Sequence, residues 1–252
     1  MIRVEQIAKR YGDVTVLDDL DLAIPNGRLT AIIGANGAGK STLLSIMSRL
    51  LPADSGRVFV DDLDLSRTRS ALVATRLAVL RQDTTMTARL TVRELVSFGR
   101  FPHSRGHLTP DDHRIVSDAL GFFELEELEH RYLDQLSGGQ RQRAFVAMVL
   151  AQDAPYVLLD EPLNNLDMRH AARMMRHLRA LVDERGKTVV LVIHDINFAA
   201  AHADHIVALK QGVVVAAGPP AHVMTETRLQ DIYDFPIAVH TIDGVPYAIY
   251  YR

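Results

Sequence analysis

The chain alternates between short apolar runs and amphipathic segments. The runs LTAIIG, YVLLD and TVVLVIH predict buried strands. Apolar positions at helical spacing predict helices over STLLSIMSRLL, which Pro52 ends, and over residues 137 to 152 and 168 to 184. This alternation of strand and helix predicts a mostly parallel sheet that is covered by helices.

The pattern becomes helical between about Asp83 and Leu136. Thr91 with Glu94 three residues later predicts a capping box that opens one helix. Thr109 before Pro110 predicts the start of a second helix. This segment is therefore expected to form a helical lobe inserted into the sheet.

The sequence FGRFPHSRGHLT joins these two helices and has neither helical nor strand periodicity. Glycines and a proline interrupt it, so it is predicted to be a loop. It contains Arg100, His103, Arg105 and His107 and no acid. A solvated loop, a metal site of His103 and His107, a nucleic-acid contact and a contact with another subunit all remain open, although Pro102 and Gly106 argue against the helix that the metal site needs.

Both ends of the chain favour β-structure. The segments VTVLDDLDLAI and RVFVDDLDL near the start are β-rich. In the tail, HIVALKQGVVVAAG predicts a hairpin, a helix follows over about 220 to 233, and a last hairpin turns at Asp243 and Gly244.

Charge and composition exclude several classes of function. The 252 residues carry a formal net charge of -3, which disfavours nucleic acid as a partner, and they include no cysteine, which excludes disulfides and thiolate metal sites. The first residues lack the apolar run of a signal peptide, so we expect a cytoplasmic protein. No apolar run approaches the ~18 residues of a membrane span, so a membrane role requires a partner.

GANGAGKST, residues 34 to 42, fits the pattern G-x-x-x-x-G-K-[ST] between an apolar strand and an amphipathic helix. Glycines let backbone N–H groups converge on phosphates, and the helix N-terminus adds partial positive charge. Lys40 can reach the β and γ phosphates, and Ser41 can bind Mg²⁺. An accidental glycine-rich turn is the alternative.

YVLLDEP places Asp160 and Glu161 at the carboxyl end of a buried strand, where ligands bind in open parallel sheets. Asp160 is expected to hold Mg²⁺ through its water shell, and Glu161 is expected to polarise the attacking water. A solvated turn with two acids is the alternative. Together with the phosphate loop, the pair indicates a nucleotide hydrolase.

LSGGQRQR opens a helix at Ser137, Gly138 and Gly139, which creates a second anion-binding N-terminus. A single protomer has no phosphate to occupy this second N-terminus, so a second nucleotide must come from elsewhere. At this point the chain resembles the ATP-binding-cassette (ABC) family, in which this signature segment covers the ATP of the partner protomer. The resemblance runs through the whole chain in order and continues to NNLD, with Asp167, and to VLVIHD, with His194.

The resemblance implies a role for each matching residue. It implies that ATP is bound by Tyr11, Val16, Gly34, Ala35, Asn36, Gly37, Ala38, Gly39, Lys40, Ser41, Thr42 and Gln82. It implies that Ser137, Gly138, Gly139, Gln140 and Asp167 contact the partner protomer's ATP, that Ser41, Gln82 and Asp160 bind Mg²⁺, and that Glu161, His194 and Lys40 are catalytic. Taken alone, Tyr11 is also consistent with a surface aromatic, Gln82 with a polar strand end and His194 with a hydrogen-bonded core histidine.

One departure from the family is visible. The family often has small residues where this chain has Asn164 and Asn165. We interpret this departure as affecting only the contact between protomers and as leaving the hydrolytic residues intact.

The resemblance implies an α/β fold of the P-loop NTPase (RecA-like) type, with a mostly parallel core sheet, an N-terminal antiparallel β subdomain and an inserted helical subdomain. We expect one ABC domain over residues 1 to 252. Residues 1 to 82 and 153 to 252 would form the nucleotide-binding core with the β subdomain, and residues 83 to 152 the helical subdomain.

The resemblance implies that the chain is the ATPase subunit of a bacterial importer. Two copies would form a homodimer on the cytoplasmic face of the plasma membrane. Its partners would be integral-membrane permease subunits and, indirectly, a substrate-binding protein, and the loop that contains Phe98, Arg100, Phe101 and Arg105 would touch the permease. The sequence looks most similar to the ATPases of iron(III)-siderophore importers. A haem or cobalamin importer and a soluble ABC ATPase are the alternatives.

Overall fold

The computed structural model of the chain describes residues 1–82, 86 and 88–251. The expected domain boundary at Asp83 lies outside these residues. The described chain divides into two compact units, one within residues 1–68 and 188–251 and the other within residues 69–187. We call them the first and the second unit.

The described chain contains the following strands and helices. The strands are β1 (Ile2–Tyr11), β2 (Val14–Ile24), β3 (Leu29–Ile33), β4 (Ser55–Val60), β5 (Leu63–Asp64), β6 (Leu77–Leu80), β7 (Tyr156–Asp160), β8 (Thr188–Val192), β9 (His205–Lys210), β10 (Val213–Gly218), β11 (Ala238–Ile242) and β12 (Val245–Ile249). The helices are α1 (Lys40–Met47), α2 (Ser70–Arg76), α3 (Val92–Phe98), α4 (Phe101–Ser104), α5 (Pro110–Phe122), α6 (Gly138–Ala151), α7 (Met168–Asp183), α8 (Ile196–His202), α9 (Pro220–Val223) and α10 (Glu226–Tyr233).

The first unit contains an antiparallel sheet in the order β2-β1-β4-β5. Buried residues alternate with exposed ones along much of β2, which is the pattern of a strand with one solvated face. β1 pairs with β2 on one side and with β4 on the other. This sheet confirms the expected N-terminal β subdomain.

The first unit also carries three parallel strands. β3 pairs in parallel with both β8 and β9, and β10 joins β9 as an antiparallel hairpin. All five residues of β3 and all five of β8 are buried. Continuous apolar runs of this kind are typical of strands that are covered on both faces, so the predicted parallel core is confirmed here.

The tail of the first unit differs from the prediction. One helix was expected over about 220 to 233, but α9 and α10 lie there. The chain leaves α9 after Val223, and the Thr225 side chain then accepts a hydrogen bond from the Arg228 N–H as the N-cap of α10. The predicted last hairpin is confirmed as β11 and β12, and the Asn197 side chain of α8 holds it through two hydrogen bonds to Ala248.

The second unit is mostly helical and contains the parallel pair β6 and β7. Both predicted helix starts are present, and each has a capping box. The Thr91 hydroxyl accepts from the Glu94 N–H at the start of α3, and the Thr109 hydroxyl accepts from the Asp112 N–H at the start of α5. These contacts span three residues, so the local sequence determines them.

The segment 98–109 is not the simple loop that the sequence predicts. It contains the short helix α4, and Arg100 is buried with 6% of its surface exposed. The Arg100 Nε donates to Asp112 Oδ1 at 2.7 Å, and its Nη1 donates to the Ala151 carbonyl at 2.9 Å. The expected docking role of Arg100 is therefore wrong, because a buried guanidinium must have local partners. Phe98 and Phe101 are exposed, as expected.

The histidines of this segment give no support to a metal site. The His103 Nε2 lies 2.9 Å from the Gln152 carbonyl, which occupies that ring nitrogen. Within the described part of the chain, no group of three or more histidine, cysteine, aspartate or glutamate side chains that could hold a metal ion occurs.

We expect Arg100→Met to lower the free energy of unfolding by about 3 kcal/mol, because it leaves the buried Asp112 carboxylate without its cation. Urea unfolding measures this, and Arg105→Met, at an exposed position, is the control that should change little.

The Thr109 N–H, the Arg100 guanidinium and the Thr109 hydroxyl lower the pKa of Asp112 from 3.8 to about 2. The contribution of ionised Asp112 to the free energy of unfolding is therefore present above pH 3.8 and is lost as the pH falls towards 2. If Arg100→Met unfolds like the parent at pH 7, the pair has no structural role.

Candidate functional site

The phosphate loop connects β3 to α1 in the first unit, and two of its glycines are sterically required. Gly34 has φ 144°, and a Cβ there would lie 2.2 Å from the Leu209 carbonyl oxygen. Gly39 has φ 98°, and a Cβ there would lie 2.8 Å from the Val16 carbonyl oxygen. The loop thus passes directly against the backbones of β9 and β2, which only glycine allows.

Lys40 begins α1 and is buried. Its Nζ donates to the carbonyl oxygens of Gly34 and Ala35, both at 2.9 Å. The ammonium is therefore held across the mouth of the loop. Asn36 and Gly37, at the crest of the loop, are exposed, so their backbone is accessible to a ligand.

The other residues of the first unit that are expected to act on ATP differ in their exposure and in their neighbours. Val16 lies next to Gly39 through its backbone. Tyr11 is 51% exposed, and the Lys9 ammonium lies 5.7 Å from the centre of its ring. His194 is exposed and follows the buried strand β8. The exposed Tyr11 ring suits stacking on a planar base, and this role stays a prediction.

In the second unit, β7 ends at Asp160, and Glu161, the second acid that the sequence singles out, follows it. Asp160 is 6% exposed, whereas Glu161 is partly exposed and adopts the left-handed region at φ 51°. The Gln82 Nε2 donates to Glu161 Oε2 at 2.8 Å. The structure thus brings together two residues that are 79 positions apart in the sequence.

Asn164 contacts the same carboxylate. Its Nδ2 donates to Glu161 Oε2, the oxygen that also accepts from Gln82. Our interpretation that the two asparagines affect only the contact between protomers is therefore wrong for Asn164. Glu161 has a positive φ, which turns the chain after β7. The Asn164 backbone N–H donates to the Glu161 carbonyl oxygen at 3.1 Å, and this turn brings the Asn164 side chain back to the Glu161 carboxylate.

The signature segment starts α6 as predicted, and Ser137 is its N-cap. The Gln140 N–H donates to the Ser137 hydroxyl at 3.3 Å, and the Ser137 N–H donates to Gln140 Oε1 at 3.0 Å. Ser137 and Gly138 are exposed. The first turn of a 14-residue helix is thus ordered and accessible, as an anion-binding N-terminus requires.

Asp167 caps α7, and His170 is the residue of this region that sequence reasoning missed. Asp167 Oδ1 accepts from the His170 backbone N–H at 2.8 Å and lies 2.7 Å from the His170 Nδ1. The His170 ring also lies against Gly139 of the signature. The i, i+3 spacing of aspartate and histidine indicates the first contact, but no local signal indicates the second.

Comparisons with known proteins agree with these features. Residues 17–164 match the ABC transporter family. The petrobactin import ATP-binding protein YclP of Bacillus subtilis is 49% identical over 251 residues, which are 100% of both chains. The iron(3+)-hydroxamate import ATP-binding protein FhuC of the same species is 39% identical over 242 residues, 95% of this chain and 90% of that one.

A solved structure extends the similarity to the fold. The ATP-binding cassette MJ0796, in a dimeric post-hydrolysis state bound to ADP and Pi, is 30% identical with a TM-score of 0.78. The match covers 87% of this chain and 99% of that chain. The predicted P-loop NTPase fold is thereby confirmed. With its phosphate loop, its signature helix and these matches, the chain belongs to the ABC transporter family.

Proposed function

We propose that this chain is the ATP-hydrolysing subunit of a bacterial importer that takes up an iron(III)-siderophore complex. Two copies bind and hydrolyse ATP at the cytoplasmic face of the membrane, where they drive permease subunits that receive cargo from a substrate-binding protein. The observation that carries the cargo class is the 49% identity to a petrobactin import ATP-binding protein over both full lengths. Among the described helices, none is long and apolar enough to cross a bilayer.

The first unit supports ATP binding through the phosphate loop. The crest of the loop offers backbone N–H groups at Asn36 and Gly37, and the Lys40 ammonium supplies the balancing charge. Two carbonyl oxygens already hold Lys40, so its position costs little side-chain entropy when phosphates bind. The exposed Tyr11 ring would stack on adenine.

Glu161 supports hydrolysis because two amide donors orient its carboxylate. Gln82 and Asn164 both donate to Oε2, which fixes the orientation of the carboxylate that accepts a proton from water as the water attacks the γ-phosphorus. The proton moves to Glu161, and the bond from the γ-phosphorus to the bridging oxygen breaks, so that ADP and phosphate leave. His194 would orient the γ-phosphate.

The donor set suits Mg²⁺. Ser41, Gln82 and Asp160 present hydroxyl, amide and carboxylate oxygens, the ligand types that this ion prefers. The Gln82 Nε2 is engaged by Glu161, so its amide oxygen is the atom left for a cation. When bound, the ion would neutralise charge on the β and γ phosphates.

The exposed start of α6 supports a site that a second copy completes. Ser137 and Gly138 offer a helix N-terminus with an ordered first turn, and Gln140 holds that turn. We propose that these groups, with Gly139 and Asp167, meet the ATP held by the partner's phosphate loop.

Lys40→Ala should raise the Kd for ATP at least about 100-fold, because it removes a charged donor to the phosphates. Equilibrium binding of a fluorescent ATP analogue to the isolated chain measures this. Lys187→Ala removes an ammonium that pairs with Asp153 instead, so it should leave the Kd unchanged. An unaltered Kd in Lys40→Ala would contradict the assigned phosphate loop.

Asn164→Ala should lower kcat for ATP hydrolysis about 10-fold without changing the Kd for ATP, because Glu161 loses one of its two orienting donors. A phosphate-release assay measures the rate. Gln230→Ala is the control, since it removes an exposed amide of α10, away from the residues assigned to ATP. Equal rates in the two variants would show that Asn164 does not act through Glu161.

The cargo class requires an uptake measurement. We expect the chain, co-expressed with a permease and substrate-binding protein, to support ATP-dependent uptake of radioactive iron supplied as a siderophore complex, and Lys40→Ala to abolish it. Haem and cobalamin supplied in the same cells are the controls. Uptake of either one in place of the siderophore complex would replace the proposed cargo, and ATPase activity with no permease association would favour a soluble ABC ATPase.

A further inference from the structure

We propose that His170 is a positioning residue that holds Asp167 and the signature glycine Gly139 in one fixed arrangement, which a second copy of this chain meets as a unit. This inference rests on the proposed function, in which both groups face the partner's ATP. It assigns His170 a role in the contact between protomers and in turnover.

The first contact of His170 is with Asp167. An ionised carboxylate only accepts hydrogen bonds, so the His170 Nδ1–H donates to Oδ1 across 2.7 Å. The His170 backbone N–H donates to the same oxygen at 2.8 Å. These donors also lower the pKa of the Asp167 carboxyl, with the backbone bond as the largest cause. Asp167 is therefore held by two donors from one residue although 66% of its side chain is exposed.

The second contact is with Gly139. A Cβ built on Gly139 would lie 2.9 Å from His170 Cδ2 and 3.0 Å from Cγ. These distances are shorter than van der Waals contact between carbons, so the imidazole ring occupies the space that a side chain would take. The ring thus covers one face of the signature backbone at the first turn of α6.

A helix cap alone does not explain both contacts. The cap needs only the Asp167 carboxylate and a backbone N–H, and any residue except proline at position 170 supplies that N–H. The ring adds the Nδ1 bond and the cover over Gly139. One side chain therefore ties the N-terminus of α7 to the N-terminus of α6, while Asp167 and Gly138 remain accessible to another molecule.

Two substitutions separate the contacts. His170→Asn keeps an amide donor for Asp167 but removes the ring, whereas His170→Phe keeps a ring against Gly139 but removes the donor. We expect each to lower kcat about 10-fold or more while the Kd of the isolated chain for ATP stays within about twofold. Introduced into Glu161→Gln, each should also weaken ATP-dependent dimerisation about 10-fold, measured by sedimentation equilibrium.

His177→Gln is the matched control on the same helix. Its ring packs on Phe122 and Phe123, and burial lowers the pKa of His177 to about 4, so it is a neutral packing residue. This variant should retain kcat and dimerisation. Parent-like kcat and dimerisation in either His170 variant would overturn the proposal, and so would a parallel loss of ATP affinity, which would indicate general damage to the fold.

Failure of the proposed function gives a different result. In that case the unsubstituted chain itself would neither hydrolyse ATP nor dimerise in its presence, and Lys40→Ala would not alter binding. With an active parent chain, the His170 variants test the positioning role alone.

Discussion

The phosphate loop depends on the close approach of two backbones to its glycines. Gly34 lies against the carbonyl of Leu209 in β9, and Gly39 lies against the carbonyl of Val16 in β2. No Cβ fits at either position, so the loop is fixed from both of its ends by strands that belong to different sheets of the first unit. This constraint sets the start of α1 and with it the position of Lys40, whose ammonium is bound by carbonyl oxygens of the same loop.

In the second unit, contacts within the chain orient two carboxylates between Glu161 and His170. Glu161 adopts positive φ, which turns the chain so that Asn164 reaches back to the carboxylate, and Asp167 then caps α7. The Glu161 carboxylate thus accepts from the amides of Gln82 and Asn164. The Asp167 carboxylate accepts from two donors of His170. Polar groups that are oriented in advance in this way need little rearrangement when a ligand or a partner binds.

Features with local causes are visible in the sequence, whereas contacts between remote residues are not. The capping boxes at Thr91 and Thr109 follow from residues three positions apart, and the buried strands β3 and β8 follow from continuous apolar runs. Arg100 lies in a basic segment with no acid, which suggested an exposed charge. Its partner Asp112 is 12 positions away and its second partner, the Ala151 carbonyl, is 51 positions away, so only folding brings them to the guanidinium.

The sequence by itself determined the family, the parallel core and the residues of the phosphate loop and the signature, because each is written as a contiguous pattern of residue types. Only the tertiary structure decided what lies beside those residues. It brought Gln82 and Asn164 to one oxygen of Glu161, placed the His170 ring over Gly139 and buried Arg100. Such contacts depend on distances between segments that are remote in the chain, and side-chain packing fixes those distances after the local elements have formed.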